Sequence, residues 1–173
     1  MQPKSSTLSI LIVLALTAFP ASAQQPTKTL AEQLVGTWDL VENYAERSDG
    51  TRFGAFGPNP SGRYMLDANG RFSYMIYGSA RPKFVSNNRL EGTADEYKAA
   101  GQGVIAFYGT YAVDERTRTV TWHVERCTFP NWEGSDRKTT IVTLDADSLS
   151  YTADPIPSAT GPYVPHVGWK RAR

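Results

Sequence analysis

His123 and Glu125 stand two residues apart in the segment Val120-Thr121-Trp122-His123-Val124-Glu125. On an extended strand that spacing puts both side chains on one face. A carboxylate beside an imidazole stabilises the imidazolium and orients the ring, so the pair could transfer a proton as acid and base or anchor the polar end of a ligand. Thr121 shares their face, while Trp122, Val124 and Arg126 take the other. In an ordinary barrel the apolar face turns inward, which would leave His123 and Glu125 in water. No serine or cysteine motif marks a nucleophile, and one His with one Glu is too little for a catalytic metal. The residues indicate no cofactor and no metal, and binding or structural roles outweigh catalysis.

Other side chains could serve the same pocket. Nine tyrosines and four tryptophans suit an interior lined by rings with polar tips. Tyr108 and Tyr111 lie on opposite faces of one strand, so one of them turns in; Tyr64 and Tyr77 raise the same question. Tyr74 shares the Phe72/Ile76 face and is expected inside. Arg63 could point inward as a counter-charge for Glu125, against the alternative of a solvated strand arginine. Trp132, in Phe129-Pro130-Asn131-Trp132, is expected to fold over one mouth as a plug or a lid, the plug being preferred. His166 lies in a proline-rich stretch and is expected to be exposed. Cys127, the single cysteine, falls on the His123/Glu125 face by parity and would be a free thiol near a pocket mouth, with burial its expected state.

The elements that must position these groups are short strands. Thr37–Tyr44 is the first, with Trp38, Leu40, Glu42 and Tyr44 on one face. Arg63–Leu66 and Arg71–Tyr77 flank Asp67-Ala68-Asn69-Gly70, a strong hairpin signal. Val104–Val113 and Arg118–Arg126 form a second hairpin across Asp114-Glu115-Arg116-Thr117. Arg137–Leu144, Ser148–Thr152 and Tyr163–Arg171 complete eight. Thr93 with Glu96 forms a capping box for one short helix that Gly101 would stop, and Thr29 caps a turn through Leu30–Leu34. Sequential antiparallel strands close most economically into an up-and-down barrel, because closure removes both exposed edges. The expected fold is therefore all-β, an eight-stranded up-and-down antiparallel barrel with one short helix between strands; a two-sheet sandwich is the rival.

Composition sets the compartment and excludes several partners. Lys and Arg number 18 against 17 Asp and Glu, so no net basic field exists to hold nucleic acid or an anionic membrane. Lys4, the apolar run Leu8–Ala18 and Ala21-Ser22-Ala23 describe a secretory signal peptide, with cleavage expected after Ala23. The run is too short to span a bilayer, so no stable membrane insertion is expected. The chain then divides into residues 1–23 as signal peptide, 24–35 as a leader with the helical turn, and 36–173 as the barrel. The mature protein would be periplasmic or secreted, formally neutral, and without a disulfide to hold it.

Gly36-Thr37-Trp38 at the start of the first strand, with Arg171 at the end of the last, is similar to the lipocalin signature. Phe56-Gly57-Pro58-Asn59-Pro60-Ser61-Gly62-Arg63, Tyr108-Gly109-Thr110-Tyr111-Ala112-Val113-Asp114, Val120–Glu125, Phe129–Gly134 and Trp169-Lys170-Arg171 follow in order. Together these blocks resemble the bacterial and fungal lipocalin-like domain family over essentially the whole mature chain. Arg126-Cys127 departs from that pattern, where small or apolar residues are more usual. The resemblance implies a barrel with a central pocket, a floor closed by Gly36, Trp38 and Arg171, and an inward His123/Glu125 pair. Three functions then compete. One is an exported barrel binding a small, largely apolar or amphipathic molecule through His123, Glu125, Tyr111, Tyr74, Arg63 and Trp132. Another is an isomerase or cyclase using His123 and Glu125 as acid and base. The last is a structural or partner-binding barrel with a filled interior. A carrier predicts an open cavity of roughly 300 Å³ or more, and a filled barrel predicts none.

Overall fold

The computed structural model describes residues 28–173. The expected signal peptide, residues 1–23, and the first part of the expected leader lie outside the described residues. Nine strands follow one another: β1 (Gly36–Arg47), β2 (Arg52–Phe53), β3 (Ser61–Leu66), β4 (Arg71–Tyr77), β5 (Val104–Asp114), β6 (Thr119–Cys127), β7 (Asp136–Leu144), β8 (Ser148–Ala153) and β9 (Tyr163–Arg171). Each of β3 to β9 pairs antiparallel with its neighbour, and β9 returns to pair with β1. The result is a closed eight-stranded up-and-down barrel. The ninth strand, β2, is a two-residue ribbon on the end of β1. All eight expected strands are present, with ends shifted by a few residues.

The hairpins at one end share a device. Asp67, Asp114 and Asp145 each turn a carboxylate oxygen onto two backbone N–H groups of the loop that follows, at 2.7–3.0 Å. Such Asx turns compete well with extended structure and stop each strand. Gly70 supplies the positive φ of the Asn-Gly turn, at 76°.

That end is the floor. Helix α1 (Leu30–Leu34) crosses it, capped by a reciprocal Thr29/Glu32 box and by the Glu115 carboxylate, which accepts from the Leu30 and Ala31 amides. Leu30 and Leu34 are buried beneath it, and the Trp38 indole N–H donates to the Leu34 carbonyl at 2.9 Å. The Arg171 guanidinium sits 4.0 Å from the Trp38 ring and donates to the carbonyls of Gln33, Val35 and Ala146. Gly36 has φ of 138°, and a Cβ there would lie 2.6 Å from Arg171 Nη1. The floor closure expected of Gly36, Trp38 and Arg171 is thus formed. Helix α2 (Ala94–Gln102), with its Thr93/Glu96 box, lies in the long connection at the other end, the mouth, and stops at Gly103 rather than Gly101.

Three bulges reset the alternation of the strands. Register slips past Val41 in β1, Glu125 in β6 and Val142 in β7, and each extra residue is exposed. A bulge adds one residue to one strand, so every side chain beyond it changes face. The expected single face of Trp38, Leu40, Glu42 and Tyr44 is corrected accordingly. Beyond Val41 the buried residue is Ala45, and Tyr44 turns outward to stack on His166 at 4.6 Å. His166 is therefore half-buried in β9 and not an exposed loop residue.

Candidate ligand site in the barrel core

The interior is built from rings. Tyr64 (β3), Tyr74 (β4), Trp122 (β6), Tyr151 (β8) and Trp169 (β9) are all buried and come from five different strands. Alternation alone puts them there, because each shares its strand face with apolar neighbours: Trp122 with Val120 and Val124, Tyr74 with Phe72 and Ile76. Ring centroids lie 5.3–5.9 Å apart for Tyr64 on Trp122, Tyr74 on Trp122, Tyr74 on Trp169 and Tyr151 on Trp122. These are edge-on and tilted contacts that aromatic quadrupoles favour. The middle of the barrel is an interlocked cluster and not an open cavity.

The cluster is polar at its tips. The Trp122 indole N–H donates to the Tyr64 hydroxyl at 2.9 Å, and the Tyr151 hydroxyl donates to that of Tyr74 at 3.2 Å. The Trp169 N–H is 1% exposed as a residue and has no hydrogen-bond partner, although it is close enough to favour negative charge on the Tyr151 oxygen. Burial pushes the phenols of Tyr64, Tyr74 and Tyr151 well above the ordinary tyrosine range. They are neutral donors at physiological pH.

Tyr74 is inside as expected. Tyr111, and not Tyr108, is the inward member of its pair, but its hydroxyl already donates to the Asp67 carbonyl at 2.7 Å near the floor. Trp132 is half-buried at the mouth, edge-on to Phe107 at 5.7 Å, with Arg137 stacked 4.5 Å over it. It packs against the edge of the ring cluster there.

The inward placement of His123 and Glu125 does not hold. Both are exposed on the outer wall, because Trp122 and Val124 take the inner face. His123 meets Asp136 of β7 at 3.0 Å, with side chains 56% and 60% exposed, and Glu125 is the bulge residue. Arg63 is likewise corrected: it is exposed on the outer wall and pairs with Asp39 across β1 and β3 at 3.0 Å, not with Glu125. The bulge also moves Cys127 off the His123 face. It turns toward the core opposite Phe107, half-buried, with burial pushing its thiol pKa up.

Two recesses are found among the described residues. One of about 370 Å³ lies over Ala106 among Met75, Tyr108 and Arg126, and reaches Tyr74, Phe107 and Cys127. The other, of about 490 Å³, lies at the floor among Lys28, Glu32, Asp145 and Arg171. Among the described residues no group of three His, Cys, Asp or Glu side chains could hold a metal. Reading the sequence missed Trp122, Tyr151 and Trp169 as a group. The period-two apolar pattern of Val120, Trp122 and Val124 is the sequence signal that marks this inner face.

Among solved structures, the chain is similar to bovine odorant-binding protein in complex with a selenium-containing odorant, at 11% identity and TM-score 0.43, over 88% of this chain and 78% of that one. A redesigned β-barrel matches at 11% identity and TM-score 0.42, over 84% of this chain and 96% of that one. A de novo fluorescence-activating β-barrel matches at 14% identity and TM-score 0.41, over 84% and 100%. No curated protein matches the chain. The sequence model of the lipocalin-like domain matches residues 35–172, from the Val35 carbonyl that Arg171 holds to the residue after Arg171 itself. With its closed barrel and its glycine, tryptophan and arginine floor, the chain belongs to the lipocalin-like domain family.

Proposed function

We propose that this chain is an exported barrel that binds a small, largely apolar molecule among the rings of its interior. The observation that carries the reading is the polar lining: three tyrosines and two tryptophans, from five strands, meet in a dry core. Phenylalanine would fill much the same volume at each tyrosine without burying a hydroxyl. A buried polar group costs free energy unless it is paired, and one of these donors has no partner. A core selected for stability alone has no use for that arrangement, whereas a recognition site does. The floor is sealed by α1, Trp38 and Arg171, so the ligand comes from the mouth beside Trp132. Export rests on the Leu8–Ala18 run and on Ala21-Ser22-Ala23.

The packing of the rings favours a second reading, a filled barrel that presents its outer wall to a partner. Native mass spectrometry of the protein purified from its own periplasm separates the two. The first reading expects a chain beginning at Gln24 that carries a co-purified small molecule, released on denaturation. A ligand-free chain that also fails to take up small apolar compounds would leave the filled barrel. His123→Ala and Glu125→Gln leave ligand uptake unchanged, because both side chains lie on the outer wall.

A further inference from the structure

We propose that residues 83–92, at the mouth end of the barrel, dock on the surface of an anionic lipid bilayer. Val85 and Leu90 enter the lipid, and Lys83 and Arg89 meet the headgroup phosphates. This surface lies outside the barrel and is independent of what the lumen holds.

The loop is an insertion that the barrel does not need. Tyr77 at the end of β4 pairs with Val104 at the start of β5, so a turn of about two residues would join them. Residues 78–103 stand there instead. Within them the chain from Phe84 to Gly92 closes on itself and is held by its own side chains, as in an Ω-loop. The Phe84 ring meets Tyr97 edge-on at 5.3 Å, and a Cβ at Gly92 would lie 2.6 Å from the Phe84 ring. The Gly92 amide donates to the Tyr97 hydroxyl at 2.9 Å. The Glu96 carboxylate accepts from the Val85 amide at 2.8 Å and from the Thr93 amide at 2.7 Å. Turns from the Asn87 amide to the Phe84 carbonyl and from the Glu91 amide to the Asn88 carbonyl carry the chain between.

This scaffold holds apolar side chains in water. Val85 is 95% exposed and Leu90 73%, more than any other large apolar side chain among the described residues. Scattered single apolar residues need no explanation, but two on one pre-formed loop point to a surface that they enter. Charge names that surface. Residues 79–93 carry three cations, Arg81, Lys83 and Arg89, against one acid, Glu91. Lys83 and Arg89 are exposed beside the aliphatic pair, and Arg81, stacked over Tyr77 at 5.0 Å, adds to the local charge. Asp95 and Glu96 follow on the first turn of α2, where the helix N-terminus offsets their charge. The chain as a whole is nearly balanced, so the attraction is local and reaches about 8–10 Å in salt. Long cationic stems beside aliphatic side chains suit a bilayer: the charged heads reach the phosphates while the aliphatic groups sink below them. A protein partner fits less well. A stable interface needs about 800 Å² from each side with Lys depleted, and two aliphatic side chains supply a small part of that.

The test is co-sedimentation of the mature chain with vesicles of phosphatidylglycerol and phosphatidylcholine in equal parts, against vesicles of phosphatidylcholine alone. Binding to the mixed vesicles is expected to be tighter by about tenfold or more, and to weaken as salt is raised. Val85→Ser combined with Leu90→Ser is expected to weaken it by about tenfold or more. Lys83→Gln combined with Arg89→Gln is expected to remove most of the preference for the mixed vesicles. These side chains are exposed, so the circular dichroism of both variants should match the wild type. Val142→Ser, at an exposed valine of the outer wall, is the control and should leave binding unchanged. No binding to either vesicle, or binding that either double variant leaves unchanged, overturns the proposal. A change of oligomeric state in the loop variants without vesicle binding overturns it too, and would make the loop a protein contact. Ligand uptake by the lumen bears on none of these outcomes.

Discussion

The indole N–H of Trp122 on β6 donates to the hydroxyl of Tyr64 on β3 at 2.9 Å, with both side chains buried. The two strands are not neighbours in the barrel, which places β4 and β5 between them. The bond therefore ties separate parts of the wall through the interior and fixes the orientation of one of the two indoles in the cluster. Edge-on contacts to Phe72 and Tyr74 hold the Tyr64 ring from its other sides.

Tyr64→Phe keeps that packing and removes the acceptor, leaving the Trp122 N–H buried and unpaired. A stranded buried donor costs about 1–3 kcal/mol. Urea denaturation is expected to show a lower midpoint at unchanged slope. A midpoint equal to that of the wild type would mean that Trp122 has another partner and that the ring cluster is less dry than its burial indicates.

The floor yields to a double-mutant cycle. Arg171→Ala removes three carbonyl contacts and the stack on Trp38, and a loss of about 2–4 kcal/mol is expected. Gly36→Ala meets two penalties, a φ of 138° that L residues rarely adopt and a Cβ at 2.6 Å from Arg171 Nη1. Only the second disappears when Arg171 is absent. The double variant should thus be more stable than the sum of the singles predicts, by about 1 kcal/mol. Strict additivity in urea denaturation would show that Arg171 does not hold Gly36 in place.

Alkaline pH probes the buried phenols. Their folded pKa values are raised by burial above the ordinary 10.0. Between the unfolded and folded values the unfolded chain has released protons that the folded chain keeps, so stability is present below pH 10 and falls above it. Three such groups give a slope approaching about 4 kcal/mol per pH unit. Tyrosinate absorbance should appear for the buried three only as near-ultraviolet circular dichroism collapses. Ionisation of all nine tyrosines with the fold intact would contradict their burial.

The barrel was legible in the sequence because its signals are local: alternation, the Asn-Gly turn, the Thr93/Glu96 capping box and the Thr29 cap. The floor was legible through the resemblance of Gly36-Thr37-Trp38 and Arg171 to the lipocalin signature, which implies that closure. The site was not. His123 and Glu125 drew attention as a titratable pair, but period two made them outward as soon as Trp122 and Val124 were inward. Val41, Glu125 and Val142 each shift a strand by one residue, and nothing local in their types announces a bulge. Gly109 is the one residue that fits its bulge by necessity, since a Cβ there would collide with the His123 carbonyl and the Glu125 amide. That is a contact between strands, visible only after they pair.

The Glu125 bulge also decides the reactivity of Cys127. By simple parity the thiol would share the solvent-facing wall with His123. Beyond the bulge it lies opposite Phe107, half-buried, and its sulfur accepts from the Phe129 amide at 3.3 Å. Burial raises its pKa, which lowers the thiolate fraction at neutral pH, and the surrounding wall limits approach. Iodoacetamide at pH 8 is expected to alkylate the folded chain at least about tenfold more slowly than the urea-unfolded chain. Glu125→Gln, which changes the charge but keeps the extra residue, should leave that protection intact. Deleting Glu125 removes the extra residue and leaves ordinary alternation after Val124, with Arg126 outward and Cys127 inward, so the slow alkylation should persist. A folded deletion variant alkylated as fast as the urea-unfolded chain would show that the alternation counted from Val124 does not set the face of Cys127.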